Sequence, residues 1–201
     1  MDQETRVVQV FAKTPIIGAV KTRLIPLLGS SGACSFHKDM TLRLIDSLSS
    51  LQSDIEIWTD RDIDNLFLKE LGYPLILQRG ADLGEKMAVA ITEGLRRHAK
   101  VALIGVDLPE LDNQYIIEAF EKLDQTSIVL GPTLDGGFGL IAVSEFDKSI
   151  FDGLTWGGPE VFFGLVENIR RLGLTYHIAS TLWDVDIPED YVRFQEWLSQ
   201  T

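Results

Sequence analysis

The chain has 201 residues, of which 45% are apolar and 24% charged, as is typical of one globular domain with a substantial core. Its formal net charge of −12 argues against sequence-independent binding of nucleic acid or anionic lipid, because both depend on Lys and Arg. A single cysteine, Cys34, excludes an internal disulfide and is compatible with a reducing cytoplasm. We therefore expect one cytoplasmic domain, residues 1–201, that binds neither nucleic acid nor membranes.

Apolar runs with strand character alternate along the chain with segments of helical periodicity. The predicted strands cover 7–11, 54–59, 74–78, 100–106, 127–131, 139–143 and 175–179. The predicted helices cover 30–51, 62–71, 83–98, 112–123 and 188–198, and one more follows Gly158 and Pro159. This alternation predicts an α/β fold, a three-layer sandwich in which helices cover both faces of a mostly parallel sheet.

The loop after the first predicted strand carries several cations. It contains Lys13, Lys21 and Arg23 together with Gly18. Loops that follow the strands of such a sheet line a ligand crevice, and backbone N–H groups with fixed positive charges form a cradle for phosphate. The alternative is an ordinary strand-to-helix turn with solvated lysines.

A second loop, 78–84, ends a predicted strand and opens a helix. It begins with Gln78, and its glycines Gly80 and Gly84 permit close backbone approach. The N-terminus of the helix favours an anion or the polar edge of a base. A plain capping turn with Asp82 as the N-cap explains the same residues.

Carboxylates also follow predicted strands. Asp107 comes directly after the most apolar strand, and Asp184 and Asp186 share one face if the segment 183–190 is extended. Mg²⁺ typically takes one or two protein carboxylates and completes its shell with water and phosphate oxygens. We therefore expect Asp107 to meet Asp184 or Asp186 in a metal site, the alternative being that these residues belong to the starts of helices.

The glycine-rich segment 131–139 is too short for a domain boundary and is typical of a site loop. Within it, Asp135 is a candidate for the chemistry, although an Asp-Gly pair is also a strong signal for a bare hairpin turn. Trp156 is a candidate for stacking on a ring, but a buried aromatic is the commoner role.

Motifs of other chemistries are absent from the sequence. It has no Gly-x-Ser-x-Gly elbow, His-Glu-x-x-His pair, Cys-x-x-Cys pair or Walker A loop. No Gly-x-Gly-x-x-Gly follows the first predicted strand, which counts against a dinucleotide-binding domain. His37, His98 and His177 have no partner motif and are expected to be structural or solvated.

Five segments together resemble the bacterial glycosyltransferase-like family of small GT-A proteins, some of them glycosyltransferases of arsenosugar biosynthesis. The family is related to 2-phospho-lactate guanylyltransferase and, more distantly, to molybdopterin guanylyltransferase. The matching segments are 11–24, 80–87, 104–111, 131–138 and 184–190, so the resemblance covers nearly the whole chain. It implies a GT-A, Rossmann-like fold of nucleotide-diphospho-sugar transferases.

The resemblance also implies roles for the candidate residues. The nucleotide phosphates would be bound by the first loop, through Lys13, Gly18, Lys21 and Arg23. The base or ribose would lie near Gln78, Gly80 and Gly84. A Mg²⁺ or Mn²⁺ ion would be held by Asp107 and Asp186, and the acceptor or transferred group would face Asp135.

The chain departs from the family pattern at two places. Phe138 stands where relatives often carry Tyr, and Gly157-Gly158 replaces a usual Ser/Thr-Thr pair. Both departures remove hydroxyl groups, so they leave open a changed acceptor or a loss of activity.

The leading hypothesis is a metal-dependent transferase that moves a glycosyl group from a nucleotide sugar to a small-molecule acceptor. Lys21 and Arg23 would share the charge of the departing diphosphate, and Asp135 would act as general base. The first alternative is nucleotidyl transfer from a nucleoside triphosphate to a phosphorylated small molecule. The second is a non-catalytic nucleotide-binding module.

Overall fold

The computed structural model describes residues 5–200. Their strands form one seven-stranded sheet in the order β3-β2-β1-β4-β6-β5-β7. The strands are β1 (Arg6–Ala12), β2 (Asp54–Thr59), β3 (Leu75–Leu77), β4 (Lys100–Gly105), β5 (Ile128–Pro132), β6 (Phe138–Val143) and β7 (Tyr176–Ile178). All neighbouring strands are parallel except where β6 pairs with β4 and β5. The prediction of a mostly parallel α/β sheet is confirmed.

The helices cover both faces of this sheet. They are α1 (Ile25–Ser47), α2 (Leu66–Glu70), α3 (Leu83–Leu95), α4 (Asn113–Lys122), α5 (Val161–Arg171) and α6 (Pro188–Leu198). Helices α1, α2 and α4 pack on one face, α3 and α5 pack on the other, and α6 packs against the first half of α1. The result is the predicted three-layer sandwich. No helix within residues 5–200 has the length and apolar character needed to cross a bilayer.

Alternation along β1 shows why both faces need a helical layer. Val8 and Val10 contribute to the core beneath α1 and α4, whereas Val7 contributes to the core beneath α3 and α5. Successive side chains of a strand point to opposite faces of the sheet, so a strand that is apolar at consecutive positions must be covered on both sides.

The boundaries of α1, α2 and α3 show the largest differences from the sequence prediction. Helix α1 begins at Ile25 because Pro26 suits a first helical turn, and Gly29, at φ 70°, interrupts it. Helix α2 is one short turn, capped by Asn65, whose side chain accepts a hydrogen bond from the Leu68 backbone N–H. Helix α3 ends at Leu95 instead of at residue 98.

The candidate functional residues lie at one edge of the sheet, the edge formed by the carboxyl ends of its parallel strands. The parallel strands β1, β2, β3, β4, β5 and β7 all end there, and the antiparallel strand β6 begins there at Phe138. The chain returns to this edge after β7, because Leu182 donates a backbone hydrogen bond to the carbonyl of Pro132 at the end of β5. Candidate residues that are far apart in sequence therefore meet at one edge.

Candidate functional site

The loop after β1 is anchored from two sides. Asp60, directly after β2, accepts a hydrogen bond from the backbone N–H of Thr14 at 2.8 Å. On the α1 side, the buried His37 donates from Nε2 to the Lys13 carbonyl at 2.8 Å, since a carbonyl oxygen only accepts. These contacts fix the backbone of the loop and leave the Lys13 side chain exposed at its surface.

The surroundings of His37 and Asp60 shift the pKa values of both side chains. Burial lowers the pKa of His37 below 6.5, although the negative charge of Asp107 opposes the shift. Burial acts to raise the pKa of Asp60, but the hydrogen bonds from Thr14 and Arg61 outweigh it and hold that pKa below its ordinary value. Asp60 therefore stays ionised and His37 stays neutral near pH 7.

Lys21 lies at the centre of the site. Its side chain is only 3% exposed, and its Nζ lies 2.8 Å from Asp107 Oδ2. The same ammonium donates to the backbone carbonyl of Val185. Lys21 also has φ 48° and ψ 43°, the left-handed region that costs a non-glycine residue about 1–2 kcal/mol. The backbone strain at Lys21 thus accompanies the placement of a buried cation between the end of β4 and the segment 182–186.

Arg23 forms the second ion pair, with Asp186. Its Nη1 lies 2.5 Å from Asp186 Oδ2, and the two side chains are 67% and 40% exposed. Asp186 does not cap α6: its own backbone N–H and that of Ile187 donate to Asp190 Oδ2, each at 3.0 Å. The alternative prediction that Asp186 caps α6 is therefore wrong. Its carboxylate pairs with Arg23 instead.

The segment 182–186 is tied to the rest of the site by backbone hydrogen bonds. Leu134 donates to the carbonyl of Leu182 at 3.1 Å, and Val185 donates to the carbonyl of Asp107 at 3.0 Å. Asp184, between these attachments, has its pKa raised to about 6, first by burial and then by the negative charge of Asp135. Asp135, Asp184 and Lys21 are therefore electrostatic neighbours.

Asp135 lies in the tight turn between β5 and β6. Its Oδ1 accepts from the Thr133 hydroxyl at 2.5 Å and from the Gly137 backbone N–H at 3.0 Å. Gly136 adopts φ 86°, and a Cβ there would lie 2.0 Å from the carbonyl oxygen of Pro159. The hairpin-turn interpretation is confirmed, and the turn holds the carboxylate in one orientation toward the site.

The second loop has internal structural roles. Gln78 donates from Nε2 to the carbonyl of Trp58 at 2.9 Å. Asp82 caps α3 by accepting from the Glu85 backbone N–H at 2.9 Å, so the capping interpretation is confirmed. A Cβ at Gly80 would lie 2.6 Å from the Lys86 backbone nitrogen, and one at Gly84 would lie 2.7 Å from Trp156 Cζ2. Packing alone thus requires both glycines, while the loop still borders the crevice.

A cavity of about 210 Å³ opens beside Asp135. Its walls include Phe11, Phe138 and Trp156, and the departures from the family pattern at Phe138 and Gly157–Gly158 all line it. A larger hollow of about 770 Å³ lies between α1 and the segment 108–112, but no predicted site residue lines it. The smaller cavity is therefore the one that continues the site.

The oxygen atoms of Asp107 are the candidate ligands of a metal ion. Asp107 Oδ1 is buried and has no hydrogen-bond partner in residues 5–200, although Oδ2 of the same side chain is paired with Lys21. Within that range no group of three or more His, Cys, Asp or Glu side chains is arranged around one metal position. An unpaired, buried carboxylate oxygen of this kind suits Mg²⁺ or Mn²⁺ whose shell is completed by phosphate oxygens and water.

The structure brings together most of the residues predicted for the site. Two adjacent ion pairs, Lys21–Asp107 and Arg23–Asp186, are joined through the segment 182–186, and Asp135 lies beside them. Gly18, at φ 81°, forms the exposed turn of the first loop. The predicted cations are already paired with the predicted metal ligands, an arrangement that the sequence analysis did not anticipate.

Sequence reasoning missed two contributors, Asp60 and His37, and left the role of a third, Asp184, undecided. Asp60 follows a predicted strand directly, so its strand-end position was an available signal. Asp184 was named as an alternative to Asp186, and the structure separates the two because Asp186 pairs with Arg23, whereas Asp184 is partly buried and lies under the influence of the Asp135 charge. The role of His37 depends on α1 passing beneath the first loop, and no local sequence pattern indicates that contact.

Solved structures share this fold. A Desulfovibrio desulfuricans G20 protein, named provisionally as a nucleotide-diphospho-sugar transferase, is 28% identical with a TM-score of 0.85, over 92% of this chain and 84% of that one. The inositol-1-phosphate CTP transferase of T. maritima is 13% identical with a TM-score of 0.59, over 94% and 93% of the two chains.

A third similar structure is glucosyl-3-phosphoglycerate synthase of Mycobacterium tuberculosis in complex with Mn²⁺, UDP and glucosyl-3-phosphoglycerate. It is 14% identical with a TM-score of 0.57, over 94% of this chain and 75% of that one. These similarities confirm the predicted fold of nucleotide-diphospho-sugar transferases.

No curated protein matches the chain. A family model does match, over residues 44–158, which is more than half of the sequence. The chain therefore belongs to the family described as an uncharacterized protein conserved in bacteria, DUF2064.

Proposed function

We propose that the protein is a transferase that uses a nucleotide-activated donor, with glycosyl transfer from a nucleotide sugar as the first candidate reaction. The observation that carries this proposal is the Lys21–Asp107 pair at 2.8 Å, placed beside the Arg23–Asp186 pair at the carboxyl edge of the sheet. Two cations and two carboxylates at one strand edge suit a diphosphate, and ligands bind at this edge in open α/β sheets.

Each cation has a distinct part in this reaction. Arg23 is exposed and is able to turn from Asp186 to a phosphate oxygen, whereas the buried Lys21 provides a fixed positive charge close to Asp107. Both offset the negative charge that develops on the leaving diphosphate. Lys13 and the backbone around Gly18 would bind the outer phosphate oxygens.

A divalent ion would be held by Asp107 and Asp186, and it would supply Lewis-acid stabilisation of the leaving group when bound. Asp135 would take the proton of the acceptor hydroxyl. The acceptor oxygen then forms a bond to the anomeric carbon, the bond from that carbon to the diphosphate oxygen breaks, and the nucleoside diphosphate leaves with the electron pair.

Nucleotidyl transfer is the second candidate, and the exposed cations favour it. Lys13 and Arg23 extend the positive charge outward from the buried Lys21, which suits the longer chain of a triphosphate. Here a phosphorylated acceptor attacks the α-phosphate and pyrophosphate leaves. The proposals of a single domain and a cytoplasmic location, made from the sequence, remain predictions.

The experiment is a thermal-shift screen of nucleotides and nucleotide sugars with and without Mn²⁺, followed by product analysis of the ligands that bind. Ligands specific for the folded state raise Tm. Release of nucleoside diphosphate selects glycosyl transfer, and release of pyrophosphate selects nucleotidyl transfer. Binding without turnover across a broad acceptor set selects the non-catalytic alternative.

A matched pair of variants tests the metal ligand. Asp107→Ala should abolish the Mn²⁺-dependent part of the Tm shift, whereas Asp39→Ala, which removes an exposed carboxylate of α1, should retain it. An unchanged metal response in the folded Asp107→Ala protein removes that residue from the site.

A further inference from the structure

We infer that the cavity beside Asp135 holds the body of the acceptor, and that this body is an apolar ring that carries the reacting hydroxyl. The inference rests on the proposed transferase function and narrows its acceptor to small aromatic or cyclic aliphatic alcohols. It depends on the lining of the cavity, on the orientation of Asp135 and on the size of the space.

The lining is apolar and rich in aromatic rings. Phe138 and Trp156 meet edge to face with their ring centroids 6.4 Å apart. Met87 and Leu103, each less than 5% exposed, are also part of the wall. Aromatic rings of a ligand pack well on such edges and faces. A sugar-like body would meet few polar side chains for its hydroxyl groups here, and burial of an unpaired hydroxyl is unfavourable.

Asp135 carries the only charge among the described residues that line the cavity. Its Oδ1 is occupied by hydrogen bonds from Thr133 and Gly137, whereas Oδ2 makes no hydrogen bond within residues 5–200. A pocket with a mostly apolar wall and few polar groups orients a ligand through those groups, and Asp135 is the charged one. The hydroxyl of the acceptor would thus lie at Oδ2, with the ring directed away from it.

The position of Asp135 joins the cavity to the ion pairs. It lines the cavity, and its neighbour Leu134 donates a backbone hydrogen bond to the carbonyl of Leu182 at 3.1 Å, which ties its turn to the segment that carries Val185 and Asp186. An alcohol held at Asp135 Oδ2 therefore lies next to the proposed diphosphate. Its proton passes to Oδ2, its oxygen bonds to the electrophilic centre of the donor, and the nucleotide departs with the electrons of the broken bond.

The volume limits the size of the ring. The cavity measures about 210 Å³. Drug-sized ligands occupy pockets of about 300–1,000 Å³. A single ring with a short substituent is thus the size that fits.

Gly105 provides a substitution that fills the cavity without disturbing the fold. It lines the cavity, and a Cβ built on it meets no atom within 4 Å. Its φ lies outside the left-handed region, so an L-residue is accepted there. It also faces the same side of β4 as Leu103, because residues two apart share a face. Gly105→Val therefore places methyl groups in the space assigned to the ring.

The test measures binding of two probes, benzyl alcohol as a ring-bearing alcohol and glycerol as a polar alcohol, by ligand-observed NMR. We expect benzyl alcohol to bind with a Kd in roughly the millimolar range, as suits so small a ligand, and glycerol to bind at least about tenfold more weakly. Gly105→Val should weaken benzyl alcohol binding by about tenfold or more. Phe138→Ala should also weaken it, whereas the matched Phe163→Ala, at an exposed position of α5, should not.

Equal binding of the two probes, or benzyl alcohol binding that survives Gly105→Val, overturns the inference. Nucleotide binding, measured on the same variants by Tm shift, separates this result from the fate of the proposed function. If Gly105→Val abolishes nucleotide binding, the cavity holds the base of the donor and the inference fails. If nucleotides fail to bind wild-type protein while benzyl alcohol binds, the transferase proposal fails and only the preference of the cavity for apolar rings stands.

Discussion

Lys21 Nζ lies 2.8 Å from Asp107 Oδ2, and the two residues come from loops that follow different strands, β1 and β4. The lysine side chain is 3% exposed and the aspartate side chain 38% exposed, so the pair extends from the interior to the crevice. A buried ammonium needs a compensating charge. Asp107 therefore supplies the counter-charge that the buried Lys21 requires. The same pairing orients the Asp107 carboxylate toward a ligand that enters the crevice.

The buried pair should contribute more to stability than the exposed one. Asp107→Asn should lower the free energy of unfolding by about 2 kcal/mol, because it leaves the buried ammonium of Lys21 without its counter-charge. Asp186→Asn breaks the exposed pair with Arg23 and should cost less than about 1 kcal/mol. Urea denaturation of both variants checks this, and equal losses would show that the burial of Lys21 has no energetic consequence.

Arg23 should matter for the ligand more than for the fold. Arg23→Ala should leave Tm nearly unchanged and weaken binding of the nucleotide selected by the screen by about tenfold, as suits loss of one charge-assisted contact. The loss should shrink as salt is added, because exposed charges are screened. Titration calorimetry at two salt concentrations provides the measurement. Arg96→Ala, an exposed arginine at the end of α3, is the control and should leave the affinity unchanged.

Asp184 should destabilise the fold at neutral pH. Its folded pKa of about 6 is above the ordinary aspartate pKa of 3.8, so the folded state binds more protons between these values and stability falls as pH rises through them. Asp184→Asn should thus raise the free energy of unfolding by on the order of 1–2 kcal/mol near pH 8, and by much less near pH 4. Denaturation in EDTA at both pH values tests this, and a gain independent of pH would contradict it.

His37 should make the protein sensitive to acid. Its folded pKa is below 6.5, so the unfolded state binds the proton more readily and stability falls as pH decreases below about 6.5. His37→Ala should remove that dependence and cost about 1–3 kcal/mol at neutral pH, since the Lys13 carbonyl loses its donor. It should also weaken nucleotide binding through the loosened loop. A pH series of urea melts on both proteins decides whether His37 carries the acid sensitivity.

Gly136 should tolerate no side chain. Gly136→Ala places a Cβ 2.0 Å from the carbonyl oxygen of Pro159 at φ 86°, so both a clash and backbone strain result. We expect a loss of more than about 3 kcal/mol. Gly153→Ala has a similar φ of 71° and nothing within 4 Å, and should cost only about 1 kcal/mol. Thermal denaturation of the two variants isolates the effect of the contact with Pro159. Similar losses of stability would show that this contact has no effect.

Much of the fold could be predicted because its signals are local. Periodicity predicted the apolar strand β4 and the helices α3 and α4, and Asp82 was offered as the N-cap of α3. The part of α1 before Gly29 was not predicted, because the predicted helix begins at residue 30 and the sequence does not show that helical structure also precedes this glycine. The insertion of β6 between β4 and β5 was not predicted either, because strand order depends on which sheet positions other elements occupy.

The sequence by itself determined the alternation of strands and helices and the positions of the candidate residues after strands, because hydrophobic period and strand ends are properties of short segments. Only the tertiary structure decided that Lys21 pairs with Asp107 and donates to Val185, and that Asp135 lies beside Asp184. These contacts join segments far apart in the chain, so they follow from the packing of whole layers rather than from any local pattern. Differences in burial and in neighbouring charge then distinguish the buried Lys21 from the exposed Arg23, and Asp184 from Asp186.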